Sequence, residues 1–137
     1  MYSTILVPVD LAHADKLEKS LEAAARLAKL DNARIVYCGV TAGTPGAVAH
    51  NPEEFGQKLE AFAAGQAGKS GVECSALAMT SHDPATDLDK ALMQAIEDSG
   101  ADLVVMASHV PGVIDHFFTS NAGWLATHAD ISVMVVR

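Results

Sequence analysis

Five short runs of apolar residues recur along the chain, and several of them are apolar throughout rather than alternating. Such runs are typical of parallel strands covered on both faces, because neither row of side chains then meets water. The predicted strands are residues 4–9, 34–40, 72–79, 103–107 and 131–136, the third being the weakest. This pattern predicts a buried parallel sheet.

Segments with helical periodicity separate these runs. Asp15 and Glu18 have the spacing of a capping box in front of the first helix. Asn51 is suited to cap the second helix, with Pro52 in its first turn. The predicted helices are residues 16–30, a segment from residue 51 to about 68–71, a segment from about 87 to 98, and a segment that starts near 120.

The strict alternation of strand and helix predicts a three-layer α/β/α sandwich, with right-handed connections and helices on both faces of the sheet. Residues 1–137 show no internal repeat and no linker, so we expect one domain. Periodicity alone leaves the strand order open.

The formal net charge of −8, with nine scattered basic residues, argues against general affinity for nucleic acid or an anionic membrane. No apolar stretch is long enough to cross a bilayer. Because Met1 leads directly into a strand, we read no targeting peptide and expect a cytoplasmic protein. Cys38 and Cys74 both fall in predicted strands, which favours two reduced, buried thiols.

Ligands of open α/β sheets bind beyond the carboxyl ends of the strands, where the strand order reverses. The loop after the first strand supplies Pro8, Val9 and Asp10. The loop after the fourth strand ends in Thr119, Ser120 and Asn121, at the start of the last helix. Backbone amides and hydroxyls at the start of a helix suit an anion. Two simpler readings stay open, in which these three polar residues only cap a helix and Asp10 only caps a turn.

Three segments carry a resemblance to a known family: Met1 to Asp10, Ala101 to His109, and His128 to Arg137. Together they resemble the universal stress protein family over essentially the whole chain. The run Ala107-Ser-His-x-Pro followed by Ser120-Asn-Ala122 is similar to the small bacterial subgroup designated F and G.

The resemblance implies the adenine nucleotide alpha hydrolase-like fold, with five parallel strands in the order 3-2-1-4-5. It also implies a homodimer. The strand from Ile131 to Val136 would then form a sheet edge that is apolar on both faces apart from Ser132, and a second chain would cover it. The resemblance further implies a stress-response or signalling role, while the protein partner stays unidentified.

The ligand implied by the resemblance is ATP or AMP, with or without Mg²⁺. Pro8, Asp10 and Val40 occupy the positions that contact adenine and ribose in the family, and the phosphates contact the loop after the fourth strand. The predicted site residues are Pro8, Val9, Asp10, Val40, Met106, Ala107, Ser108, His109, Thr119, Ser120 and Asn121.

The phosphate half departs from the family pattern, because Ala107, Val110 and Thr119 stand where glycines are usual. Thr119 matters most, since a left-handed backbone or a close phosphate contact there would disfavour a β-branched residue. The alternative is therefore a universal stress protein that binds no nucleotide and acts as a dimeric interaction protein.

Catalytic and metal chemistry find little support in the sequence. Ser81 and Ser108 lack a nucleophile elbow, and no glycine-rich loop ends in Gly-Lys-Ser/Thr. We expect no enzyme activity beyond slow, incidental ATP hydrolysis. His109, Asp115 and His116 are close in sequence, but no fourth ligand is evident, and we expect no metal site.

Overall fold

The computed structural model describes residues 1–108 and 119–137, with the backbone alone for 84–86 and 119–120. A short 3₁₀ helix, Leu11–Lys16, follows the first strand. The strands are β1 (Thr4–Pro8), β2 (Arg34–Thr41), β3 (Cys74–Thr80), β4 (Leu103–Ala107) and β5 (Ser132–Val136). The helices are α1 (Glu18–Asp31), α2 (Pro52–Ser70), α3 (Pro84–Ser99) and α4 (Thr119–His128).

The five strands form one parallel sheet in the order β3-β2-β1-β4-β5, which confirms the predicted fold. The central strand β1 is buried at every position. Leu6 pairs with Val36 on one side and with Val104 on the other. A strand enclosed in this way must be apolar throughout, as the sequence of β1 is.

The helices lie on opposite faces of the sheet for a topological reason. From β1 to β3 the chain moves across the sheet in one direction, and it then returns past β1 to β4 and β5. Right-handed connections therefore place α1 and α2 on one face and α3 and α4 on the other. Each pair of helices covers its own apolar core.

The start of α2 confirms the sequence prediction, because the Asn51 side chain accepts a hydrogen bond from the backbone N–H of Glu54, at 2.8 Å. The capping box predicted for α1 is wrong. Asp15 lies inside the 3₁₀ helix, and α1 starts after Leu17 with no side-chain cap. The 3₁₀ helix takes up Asp15, so this residue cannot act as the N-cap of α1.

Several boundaries differ from the prediction by one to three residues. Helix α3 starts at Pro84, three residues before the predicted Asp87, because a proline fits the first turn of a helix. Strand β3 starts at Cys74 rather than at Val72. Val72 instead packs, buried, in the core beneath α1 and α2.

Both cysteines are free thiols, but they differ in exposure. Cys38 is fully buried, and burial raises the pKa of its thiol to about 12. Cys74 is only half-buried, contrary to the expectation of two buried thiols. At neutral pH Cys38 is therefore a packing residue rather than a nucleophile.

Strand β5 forms one edge of the sheet and leaves apolar side chains in solvent. Met134 is 40% exposed and Val135 is 38% exposed. An edge strand with exposed apolar residues is a template for pairing with another strand. Among the described residues, no helix has both the length and the apolar character needed to cross a membrane.

Replacing Gly39 by alanine tests the packing between β2 and α2. A Cβ atom at Gly39 would lie 2.8 Å from the Phe55 ring, so the ring would have to move. We expect Gly39→Ala to lower the free energy of unfolding by about 1–3 kcal/mol. In the matched control Gly65→Ala, the new methyl meets open space within α2. The free energy of unfolding of this control should rise by about 0.5–1 kcal/mol. Urea denaturation of both variants measures the difference, and equal effects would contradict the packing described here.

Candidate functional site

A cavity of about 320 Å³ opens beyond the carboxyl ends of β1 and β2. Its volume lies at the lower end of the range of roughly 300–1,000 Å³ typical of small-molecule sites. The described lining residues are Val9, Asp10, Leu11, Ala12, Val40, Thr41, Ala42, Thr44, Pro45, Gly46, Ala47, Val48, Ala49 and Phe55. The structure thus brings three of the predicted residues together: Val9, Asp10 and Val40.

The end of β1 shapes one side of this cavity. Pro8 is the last residue of the strand and pairs with Cys38. Val9, which is buried, donates its backbone N–H to the Cys38 carbonyl at 2.8 Å. The chain then turns away from the sheet at Asp10, which places that carboxylate at the rim of the cavity.

Asp10 caps the following turn and also lines the cavity. Its Oδ1 accepts a hydrogen bond from the Ala12 backbone N–H at 3.0 Å. Its Oδ2 lies 2.9 Å from His13 Nδ1. The side chain is about a quarter exposed, so both carboxylate oxygens are held in place while the group still reaches solvent. The capping reading and the binding reading of Asp10 are therefore compatible.

Phe55 forms part of the lining and was not predicted as a site residue. The helical pattern places it correctly on the apolar face of α2, where it is buried. It lies against Gly39 of β2, the position at which a side chain would collide with its ring. This contact depends on how α2 sits on the sheet, which no local sequence pattern reveals.

The segment after β2 forms the outer wall of the cavity. Residues from Ala42 to Ala49 supply half of the described lining. The sequence predicts only an irregular loop there, from two glycines and one proline. No sequence motif in this segment predicts that it lines a cavity.

The predicted phosphate half lies on the other side of β1, at the end of β4. Met106 is fully buried in the core beneath α3 and α4, so any contact with a ligand would come from its backbone. Ala107 ends the strand, and Ser108 donates its backbone N–H to the Val136 carbonyl at 2.9 Å. These residues lie outside the cavity lining.

Thr119, Ser120 and Asn121 form the first turn of α4, as predicted. The start of a helix is in general a place where an anion can bind, because the helix dipole and the backbone amides point there. His109 lies outside the described residues, and the predicted contact from it stays a prediction.

A larger groove of about 700 Å³ runs between α1 and α2. Charged residues of both helices line it, among them Glu18, Arg26 and Lys69. Among the predicted site residues that the structure describes, none lines this groove. We favour the smaller cavity as the functional site, because ligands of open parallel sheets bind at the strand ends.

Within residues 1–108 and 119–137, no group of three or more His, Cys, Asp or Glu side chains is arranged to hold a metal ion. Asp115 and His116, which the sequence places close to His109, lie outside these ranges.

We compared the chain with known protein families and with curated proteins. The model of the universal stress protein family matches residues 1–137. The chain belongs to this family. It is 28% identical over 148 residues to universal stress protein G of Escherichia coli O157:H7, and the match covers 100% of both proteins. This agrees with the similarity to the F and G subgroup.

Solved structures of family members share the fold. The universal stress protein from Archaeoglobus fulgidus in complex with dAMP superposes with a TM-score of 0.69 at 20% identity, covering 99% of this chain and 98% of that one. A family protein from Arabidopsis thaliana with AMP bound gives a TM-score of 0.62 at 18% identity, covering 98% and 90%. At these identities the likeness establishes the fold.

The capping role of Asp10 predicts a difference between two substitutions. Asp10→Ala removes the acceptor for the Ala12 N–H and should lower the free energy of unfolding by about 1 kcal/mol. Asp10→Asn keeps an oxygen at that place and should be nearly neutral. Urea denaturation of both variants provides the measurement. A large loss of stability in Asp10→Asn as well would show that the turn depends on the negative charge rather than on the hydrogen bond.

Proposed function

We propose that this universal stress protein binds an adenine nucleotide, AMP or ATP, at the carboxyl ends of β1, β2 and β4. The observation that carries the proposal is the cavity lined by Val9, Asp10 and Val40. It lies beside the point where the strand order reverses, between β1 and β4. Two relatives of the same fold, described above, were solved with AMP and with dAMP.

The lining suits a nucleoside. Val9, Val40 and Phe55 offer apolar surface against which a base can pack. The Asp10 carboxylate is held by its own turn and can accept hydrogen bonds from ribose hydroxyls. Polar groups fixed before binding cost less ordering entropy when the ligand arrives.

The phosphates would extend from this cavity past the end of β4 toward the first turn of α4. With nine basic residues in the whole chain, we expect backbone amides rather than lysine or arginine to carry most of the anion binding. Mg²⁺ would accompany ATP when ATP is the ligand.

We propose a signalling role rather than a catalytic one. Bound nucleotide would change the surface beside the end of β4 and the start of α4, and so change what a protein partner meets. The sequence has no phosphate-binding lysine motif of an efficient ATPase, and we expect any hydrolysis to be slow.

Calorimetry with AMP tests the binding proposal. At about 100-fold excess over Kd, AMP should add roughly 2.7 kcal/mol to the stability of the wild-type protein. Asp10→Asn, which keeps the cap, should weaken AMP binding roughly tenfold through the loss of charge-assisted hydrogen bonds. The control Asp15→Asn makes the same charge change inside the 3₁₀ helix that Asp10 caps, but outside the cavity, and should leave Kd unchanged.

Absence of any AMP or ATP effect on the wild-type protein would contradict the proposal. It would support the second candidate, a dimeric interaction protein without nucleotide, which the replacement of a family glycine by Thr119 favours. Nucleotide binding that returns in Thr119→Gly would identify that residue as the cause.

We also propose that the protein is a homodimer that pairs through β5. The exposed apolar side chains of Met134 and Val135 on this edge support the proposal. Val135→Lys should shift the molar mass measured by light scattering from that of a dimer to that of a monomer. The control Leu30→Lys replaces an exposed apolar residue at the end of α1 and should stay dimeric. A monomeric wild-type protein would contradict the proposal.

A further inference from the structure

The outer wall of the cavity has no secondary structure of its own. It is formed by residues 42–49, between the end of β2 and the start of α2. Residues 44–47 are exposed. A wall of this kind keeps its shape only through contacts with neighbouring elements.

Two of these contacts face inward. Ala49 is buried and Val48 is half-buried, and both pack against the core beneath α1 and α2. The Gly46 backbone N–H donates to the Ala49 carbonyl at 2.9 Å and closes the loop on itself. These contacts anchor one end of the wall.

Further contacts come from a pair of charged side chains on α2. Lys58 Nζ donates to the Val48 carbonyl. Glu54 Oε2 accepts the His50 backbone N–H at 3.2 Å. The two side chains also contact each other, since Lys58 Nζ lies 3.3 Å from Glu54 Oε1. The pair is thus attached to the loop at two points, one on each side of the buried Ala49.

The ionisation state of Glu54 favours these contacts. The His50 backbone N–H, followed by the Lys58 ammonium, holds the pKa of Glu54 below its usual range. Glu54 is therefore a carboxylate at neutral pH and keeps both of its partners. Hydrogen bonds with a charged donor or acceptor are the stronger ones.

We propose that Lys58 and Glu54 are positioning residues for the nucleotide site. Resting on the proposed function, this inference assigns to the pair the task of holding residues 42–49 against the cavity. Lys58 fixes the carbonyl of Val48 while the side chain of Val48 packs inward. The pair thereby sets the affinity for the nucleoside end of the ligand, although neither residue lines the cavity.

The chain offers a matched control for this pair. Glu22 and Arg26 form an ion pair with the same i,i+4 spacing on α1, at 2.6 Å. Lys58→Met and Arg26→Met each remove the cation of one pair and keep a long unbranched side chain with good helix propensity. Lys58→Arg keeps a cationic donor and serves as the rescue variant.

Two measurements on each variant test the inference. Hydrogen exchange by NMR in the ligand-free protein should be roughly tenfold faster at the Gly46 amide in Lys58→Met, because the wall opens more often. Calorimetry should give a Kd roughly threefold to tenfold higher for both adenosine and AMP. Kd should rise by the same factor for adenosine and for AMP, because the wall lies beside the nucleoside part that both ligands share. Lys58→Arg should restore both values, and Arg26→Met should change neither.

Unchanged exchange at Gly46 would overturn the inference, because the wall would then not depend on Lys58. Faster exchange with unchanged affinity would overturn it as well, because the wall would not matter to the ligand. Failure of the wild-type protein to bind adenosine or AMP would instead overturn the proposed function and the claim on affinity with it. The exchange measurement would still decide whether Lys58 holds the wall.

Discussion

Enclosure of β1 on all sides is the constraint on which the rest of the structure depends. Every residue of this strand is buried, with β2 and β4 paired at its edges and a helical layer over each face. Its backbone groups find partners on both sides only because the chain crosses from one half of the sheet to the other. That crossing creates the reversal of strand order between β1 and β4, and the candidate cavity lies beside it, at the ends of β1 and β2. Strand β1 therefore belongs both to the core and to the floor of the candidate site.

The candidate site has a rigid side, formed by the strand ends and the Asp10 turn, and an outer wall that is held in place by α2. Val9 and Val40 belong to the strand ends, and Asp10 is held by the turn that it caps. The outer wall is different, since it depends on contacts from α2. The position of this wall therefore follows from the packing and hydrogen bonds of α2 rather than from the sheet. In this account the charged pair on α2 governs affinity without touching the ligand.

The sequence predicted the elements because their signals are local. Continuous apolar runs identified the strands, and Asn51 with Pro52 located the start of α2. The strand order was implied by the family resemblance, because periodicity carries no information about which strands are neighbours. The capping box at Asp15 failed because a 3₁₀ helix occupies that segment. Phe55 and the wall were missed because their place in the site results from the packing of α2 on β2.

In the proposed complex, adenine occupies the cavity at the ends of β1 and β2. Isotope-filtered NMR of the protein saturated with AMP measures this directly, through contacts between the adenine protons and methyl groups. We predict nuclear Overhauser effects from adenine to the methyls of Val9, Val40 and Ala49, which line the cavity. Contacts to Leu21 and Ala25 in the groove between α1 and α2, or no contacts at all, would contradict it.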